Sequence, residues 1–256
     1  MPRVAVTVFT DPFCPWSWAA EPQLRRLAVE FGAGLAYTFV IVGLRRRIEP
    51  ADATRLALDC VDAAAESEMP VDPRVFLRDP PSSTHPAGLA VAAVAEQGDP
   101  APFIRRLREA ILLEGRRMDT APALLDAARE TGGLDLERLK VDFGSNAILE
   151  RFAADLERGR GVTTPAFAFG DGPRVERYGP YERVREAALS AGAPVAGDGF
   201  PGVEEALRRF GALTTPEVAA ACDLPGPRAP AELWRLALEW RVRPRRVPGG
   251  ELWTTG

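Results

Sequence analysis

An α/β fold interrupted by helices is what this 256-residue chain predicts. Three observations predict it. A strand-type run, Val4-Ala5-Val6-Thr7-Val8-Phe9, is followed by a helical pattern and then by a second strand-type run, Leu35–Val42. From about residue 50 to 160 the pattern is helical, with no strand signal. Strand pattern returns at Ala166-Phe167-Ala168-Phe169 and leads into a Gly-Asp-Gly turn.

The first strand ends near Thr10. The first helix is expected from about Cys14 to Phe31, stopping at Gly32, with Gly34 opening the second strand. A helix joining two such strands makes them a parallel crossover pair. Further helices are expected near 51–68, 83–97, 101–115, 119–131, 135–142 and 145–159, separated by Pro, Gly and Ser clusters. Leu107, Ile111 and Leu112 show helical spacing, as do Leu149, Phe152 and Leu156. Beyond Gly170-Asp171-Gly172, Val175–Tyr178 completes a hairpin and Tyr181–Ala191 a closing helix. Ala193–Gly199 is small and Gly/Pro/Ala-rich, as linkers are.

The tail reads as a separate small module. Val203–Phe210 and Glu232–Trp240 are helical, and Thr214-Thr215-Pro216-Glu217 carries a capping box with proline in the first turn. Arg245–Trp253 resembles a two-stranded wing with Gly249-Gly250 at its tip, so the tail is winged-helix-like. Arg241, Arg243, Arg245 and Arg246 make it locally basic. The whole chain is acidic, with net charge −4, which argues against nucleic acid or an anionic membrane as partner. No apolar run approaches the roughly eighteen residues of a membrane span. Met1-Pro2-Arg3-Val4 enters a strand at once, without basic region, apolar core or cleavage site. The three cysteines are odd in number and widely spaced, so no disulfide framework forms. A cytoplasmic setting is expected.

Cys14 is the candidate nucleophile. It stands where the first strand meets the first helix, and unpaired N–H groups at a helix start favour thiolate over thiol. Pro15 needs no donor there, and Trp16 offers a broad apolar lid for a partner chain. Ser17 has a hydroxyl that can stabilise the thiolate, but it cannot attack a mixed disulfide. Asp11 would raise the thiol pKa unless solvated or paired. His85, the single histidine, belongs to the cap of a helix starting near Ser83, with a Cys–His couple as the sharper alternative. Cys60 and Cys222 read as buried structural thiols, and no metal-site spacing occurs.

Phe13-Cys14-Pro15-Trp16-Ser17 and its surroundings resemble the DsbA family of thioredoxin-like proteins. Three further stretches carry the resemblance: Ser82–Ala90 as the start of a long inserted helix, Phe152–Glu157 as the last inserted helix, and Gly161-Val162-Thr163-Thr164-Pro165-Ala166-Phe167 as the Thr-Pro strand. Within the family the cytoplasmic FrnE-like and SpxH/YjbH-like branches are most similar. The resemblance implies a thioredoxin-like domain over 1–45 and 161–192, a helical insertion over 46–160, and leaves 200–256 as the winged-helix-like module. It also implies that Pro165 is cis and faces Cys14, so that an extended partner pairs with the Thr163 or Thr164 main chain. The family's second motif cysteine is replaced by Ser17, which removes the dithiol couple.

Three functions follow from the resemblance. The first is monothiol thiol–disulfide exchange or isomerisation, in which Cys14 attacks a protein disulfide or a glutathionylated thiol and an external thiol such as glutathione, not a tightly bound cofactor, releases it. The second is a redox-sensing protease adaptor that binds a regulator protein and delivers it to a protease. The third is a glutathione-dependent isomerase or transferase of the kappa type, whose members usually carry serine at the position of Cys14.

Overall fold

The computed structural model describes residues 3–256; the part of the N-terminal reading that falls on Met1 and Pro2 lies outside them. Strand β1 (Val4–Thr10) pairs in parallel with β2 (Leu35–Ile41), Val4 opposite Leu35 and Thr10 opposite Ile41. Two helices connect them, α1 (Pro15–Ala19) and α2 (Glu21–Glu30). The continuous helix expected over Cys14–Phe31 is therefore broken at Ala20. Pro22 has no N–H to offer the carbonyl of Trp18, and its ring crowds that carbonyl, so the helix stops and restarts.

Seven helices follow: α3 (Pro50–Ser67), α4 (Arg74–Arg78), α5 (His85–Ala95), α6 (Ala101–Leu112), α7 (Ala121–Thr131), α8 (Leu136–Asp142) and α9 (Asn146–Arg158). Sequence pattern located all but α4, a single turn and a half too short to show a period. Glu49 and Asp52 form a capping box at the start of α3, where Pro50 is pre-set for helix. Leu107, Ile111 and Leu112 are buried, as their spacing requires. On α9 the buried stripe is instead Ile148, Phe152 and partly buried Leu156, while Leu149 is exposed. Gly88 lets α5 and α9 meet closely: a Cβ there would lie 2.4 Å from the Phe152 ring.

The chain then returns to the sheet as β3 (Ala166–Phe169), antiparallel to β1, and β4 (Arg174–Glu176), antiparallel to β3. The sheet order is β2-β1-β3-β4. β4 ends two residues before the expected Tyr178, because Arg177 takes a positive φ of 67° that no strand continues. Helix α10 (Tyr181–Ser190) closes this part. One core, with Val6, Val8, Leu27, Phe31, Phe167 and Val184, lies between the sheet and α2 and α10. A second core fills the helical insertion and takes in Phe13, Trp18 and Ile41.

The C-terminal unit runs α11 (Val203–Phe210), β5 (Leu213–Thr214), α12 (Thr215–Ala221), α13 (Arg228–Leu238), β6 (Val242–Val247) and β7 (Gly250–Thr255). Its sheet order is β5-β7-β6. Val247 faces Gly250, so the hairpin tip is Pro248-Gly249 rather than Gly-Gly, with Gly249 at φ +86°. Its core of Leu207, Val218, Leu233, Leu236 and Trp253 extends to Val29 of α2. Among the described residues no helix is long and apolar enough to cross a membrane.

Candidate functional site

Cys14 is the N-cap of α1, and its sulfur takes the acceptor's place in the cap: the Ser17 N–H points at Sγ, 3.3 Å away. The Thr164 hydroxyl lies 3.1 Å from the same sulfur. Thr164 precedes Pro165, and the bond between them is cis. A loop and a strand 150 residues apart in sequence are thus brought to one atom. Facing a thiolate, the Thr164 hydroxyl and the Ser17 N–H both act as donors. Ser17 contributes through its main-chain N–H, and its buried hydroxyl, which has no other partner, also favours the thiolate.

Cys14 is 4% exposed. Burial pushes the Cys14 thiol above its ordinary range; hydrogen bonds from Ser17 and Thr164 work the other way, and the Asp11 charge adds to the rise. The donors at the helix start favour thiolate as expected, and burial opposes them. The helix at Cys14 has five residues, too few for a full macrodipole, and burial outweighs it. Asp11 is wholly buried; Oδ1 accepts from the Phe13 N–H and Oδ2 from the Leu44 N–H. Burial lifts its carboxyl to about 6, against those hydrogen bonds and the pull of Arg108.

Around the sulfur, Pro15 is buried at the first helical position and Trp16 is half-buried, its ring 6.0 Å from that of Tyr178. Thr163 is exposed, but its N–H, expected to meet an extended partner, is held by Glu176 Oε2 at 3.0 Å. His85 is not part of this group. It stands edge-on to Phe152, 5.3 Å between ring centres, and burial lowers its pKa. Cys60 and Cys222 are buried free thiols, both pushed up by burial, Cys222 to about 11.

Sequence reasoning missed the residues behind the sulfur. Trp18, one turn after Cys14, is 1% exposed; its indole N–H donates to the Pro70 carbonyl at 2.8 Å. The Arg105 guanidinium stacks 4.4 Å above its ring. Arg105 in turn grips Glu217 of α12, which Arg25 of α2 also reaches at 3.1 Å. Glu21 joins this network through Arg25 and Arg108. Burial opposes ionisation of Glu21, but the charges of Arg25, Arg108 and Arg105 hold its carboxyl below the ordinary range. The loop beside Trp18 is fixed from the other side, by the Thr214 hydroxyl 3.1 Å from Met69 Sδ and by Gly249 and Gly250 packing on Pro70. The one sequence signal was the capping box, which placed Glu217 but not its partners.

The thioredoxin family model matches residues 7–169. The ClpXP adapter protein SpxH of Halalkalibacterium halodurans is 26% identical, over 97% of this chain and 87% of that protein. A putative protein disulfide isomerase from Nitrosomonas europaea superposes with a TM-score of 0.65 at 19% identity, over 73% of this chain and 97% of that one. The cytosolic disulfide reductase DsbM from Pseudomonas aeruginosa, solved with GSH, superposes with a TM-score of 0.57 at 22% identity, over 73% of this chain and 99% of that one.

Proposed function

Since this chain belongs to the thioredoxin family, with a DsbA-like fold related to SpxH, we propose that it is a cytoplasmic adapter that binds a client protein and presents it to ClpXP. One observation carries the reading. The likeness to SpxH spans 97% of the chain, whereas the likeness to the Nitrosomonas europaea and DsbM structures spans 73%. The difference has about the size of the C-terminal unit and its linker. A winged-helix-like reading of that unit, over 200–256, fits a protein-docking role. The state of Cys14 supports the same conclusion, because a buried thiol with a raised pKa is a slow nucleophile.

The test is ClpXP-dependent turnover of a bacterial proteome, with and without the protein, followed by quantitative mass spectrometry. An adapter accelerates the loss of a defined set of proteins, and Cys14→Ser accelerates the same set. No accelerated protein would sink the reading.

A second reading rests on the Cys14–Thr164 contact. The DsbA-like fold supports a thiol–disulfide oxidoreductase-type function, and two donors at Sγ are what an attacking sulfur needs. Here the Cys14 thiolate attacks a mixed disulfide, its S–S bond breaks, and one thiolate leaves. A second thiol, glutathione in this reading, then attacks the new disulfide and restores Cys14. No net oxidation occurs. Cys14→Ser then abolishes turnover of a glutathionylated peptide, where the adapter reading predicts no turnover to abolish.

A further inference from the structure

A cavity of about 260 Å³ opens between α2, β2 and the start of α6. Leu24, Ala28, Phe39 and Ile104 give it an apolar wall, and Tyr37 and Arg108 also line it. Cys14 does not.

Two hydrogen-bond donors here lack acceptors. Arg108 is 1% exposed; Nη1 meets Glu21 and Nη2 meets the Thr10 hydroxyl, but Nε is buried with no partner. The Tyr37 hydroxyl is likewise buried with no partner. Burial keeps Tyr37 protonated well beyond neutral pH, so it remains a donor. Both lining carboxylates make other hydrogen bonds. Glu21 gives one oxygen to Arg108 and the other to Arg25, and Asp99 Oδ1 takes the Ala101 N–H. Buried donors without acceptors are rare in folded proteins and call for an occupant. Arg25 and Arg108 line the cavity and Arg209 acts on Tyr37, against the carboxylates of Glu21 and Asp99. Among the lining residues the two guanidiniums and two carboxylates balance, so the two unpaired donors rather than a net charge set what the cavity accepts.

We propose that this cavity binds a small monocarboxylate with an apolar body, whose carboxylate accepts from Tyr37 Oη and Arg108 Nε. The apolar wall holds the body, and the volume suits a fragment-sized acid, below the roughly 300–1,000 Å³ of pockets for larger ligands. The site lies where the sheet meets the helical insertion, and two of its residues, Arg25 and Glu21, belong to the network that holds Glu217. The proposal is independent of the adapter reading.

The test uses the full chain with benzoate as probe, read by saturation-transfer NMR and calorimetric titration. Benzoate binds saturably, and neutral benzamide at least about ten-fold more weakly. Tyr37→Phe weakens benzoate about ten-fold, the scale of a hydrogen bond to a charged group. Ala28→Leu, which narrows the cavity from its half-buried wall, weakens it further, and Cys14→Ser leaves it unchanged. Circular dichroism checks that each variant is folded; if Ala28→Leu is not, Tyr37→Phe decides. The proposal is overturned by the absence of saturable binding, as for a cavity holding only water, by equal binding of benzamide, or by benzoate affinity that Tyr37→Phe does not change.

Discussion

Arg105 and Glu217, 112 residues apart in sequence, form a two-pronged ion pair with Nη1–Oε1 at 2.8 Å and Nη2–Oε2 at 2.9 Å. Glu217 is fully buried, and its Oε2 also accepts from the Thr214 N–H at 2.8 Å. One carboxylate therefore caps α12 and ties the C-terminal unit to α6 and α2. Planar bidentate pairing fixes orientation as well as distance.

Glu217→Gln should lower the unfolding free energy by about 3 kcal/mol, because Arg105 and Arg25 keep buried charge without its counterpart. Urea unfolding measures it. The double variant with Arg105→Leu should lose less than the sum of the singles, since the pair is coupled. Additive losses would mean that the pair does not hold the units together.

Acid should weaken the same network. The folded pKa of Glu21 lies below its ordinary value, so its contribution is fully present above the unfolded value of about 4.3 and fades as pH falls through the folded one. Asp11 acts in the opposite sense. Its folded pKa of about 6 is raised, so the folded state binds the proton more tightly and stability falls as pH climbs from about 4 to 6. In Asp11→Asn, stability measured across that range should lose this downward slope while the acid loss below pH 4 remains.

Cys14 should respond to the hydroxyl beside it. Thr164→Val removes a donor to the thiolate while keeping the shape, and should slow alkylation of Cys14 about five-fold at fixed pH, the scale of one hydrogen bond. Rate constants from iodoacetamide quenching, read on the Cys14 peptide, check this. An unchanged rate would mean that Thr164 does not donate to the sulfur.

How far the sequence carried these conclusions differs by residue. The strand–Cys14–helix junction, the Ala166–Phe169 strand and the helical middle were legible because hydrophobic period and turn residues are local signals. The break at Ala20 was legible from Pro22, which stands too deep in a helix begun at Cys14 to be carried without breaking it. Leu149 and Ile148 are adjacent apolar residues, and only the partner across the interface decides which turns inward. The environment of Cys14 was only half legible, because the helix start is local, whereas the burial that raises the thiol pKa comes from distant chain segments. Arg105, Trp18 and Glu217 share no sequence spacing at all; their meeting is a property of the tertiary fold.

The central claim is that Cys14 is a guarded sulfur in a binding protein rather than an activated nucleophile. The pH dependence of Cys14 alkylation, followed on its own peptide by mass spectrometry, tests it most directly. A midpoint above the free-cysteine value of about 8.5 is predicted. A midpoint below about 7 would contradict the claim and place thiol exchange first.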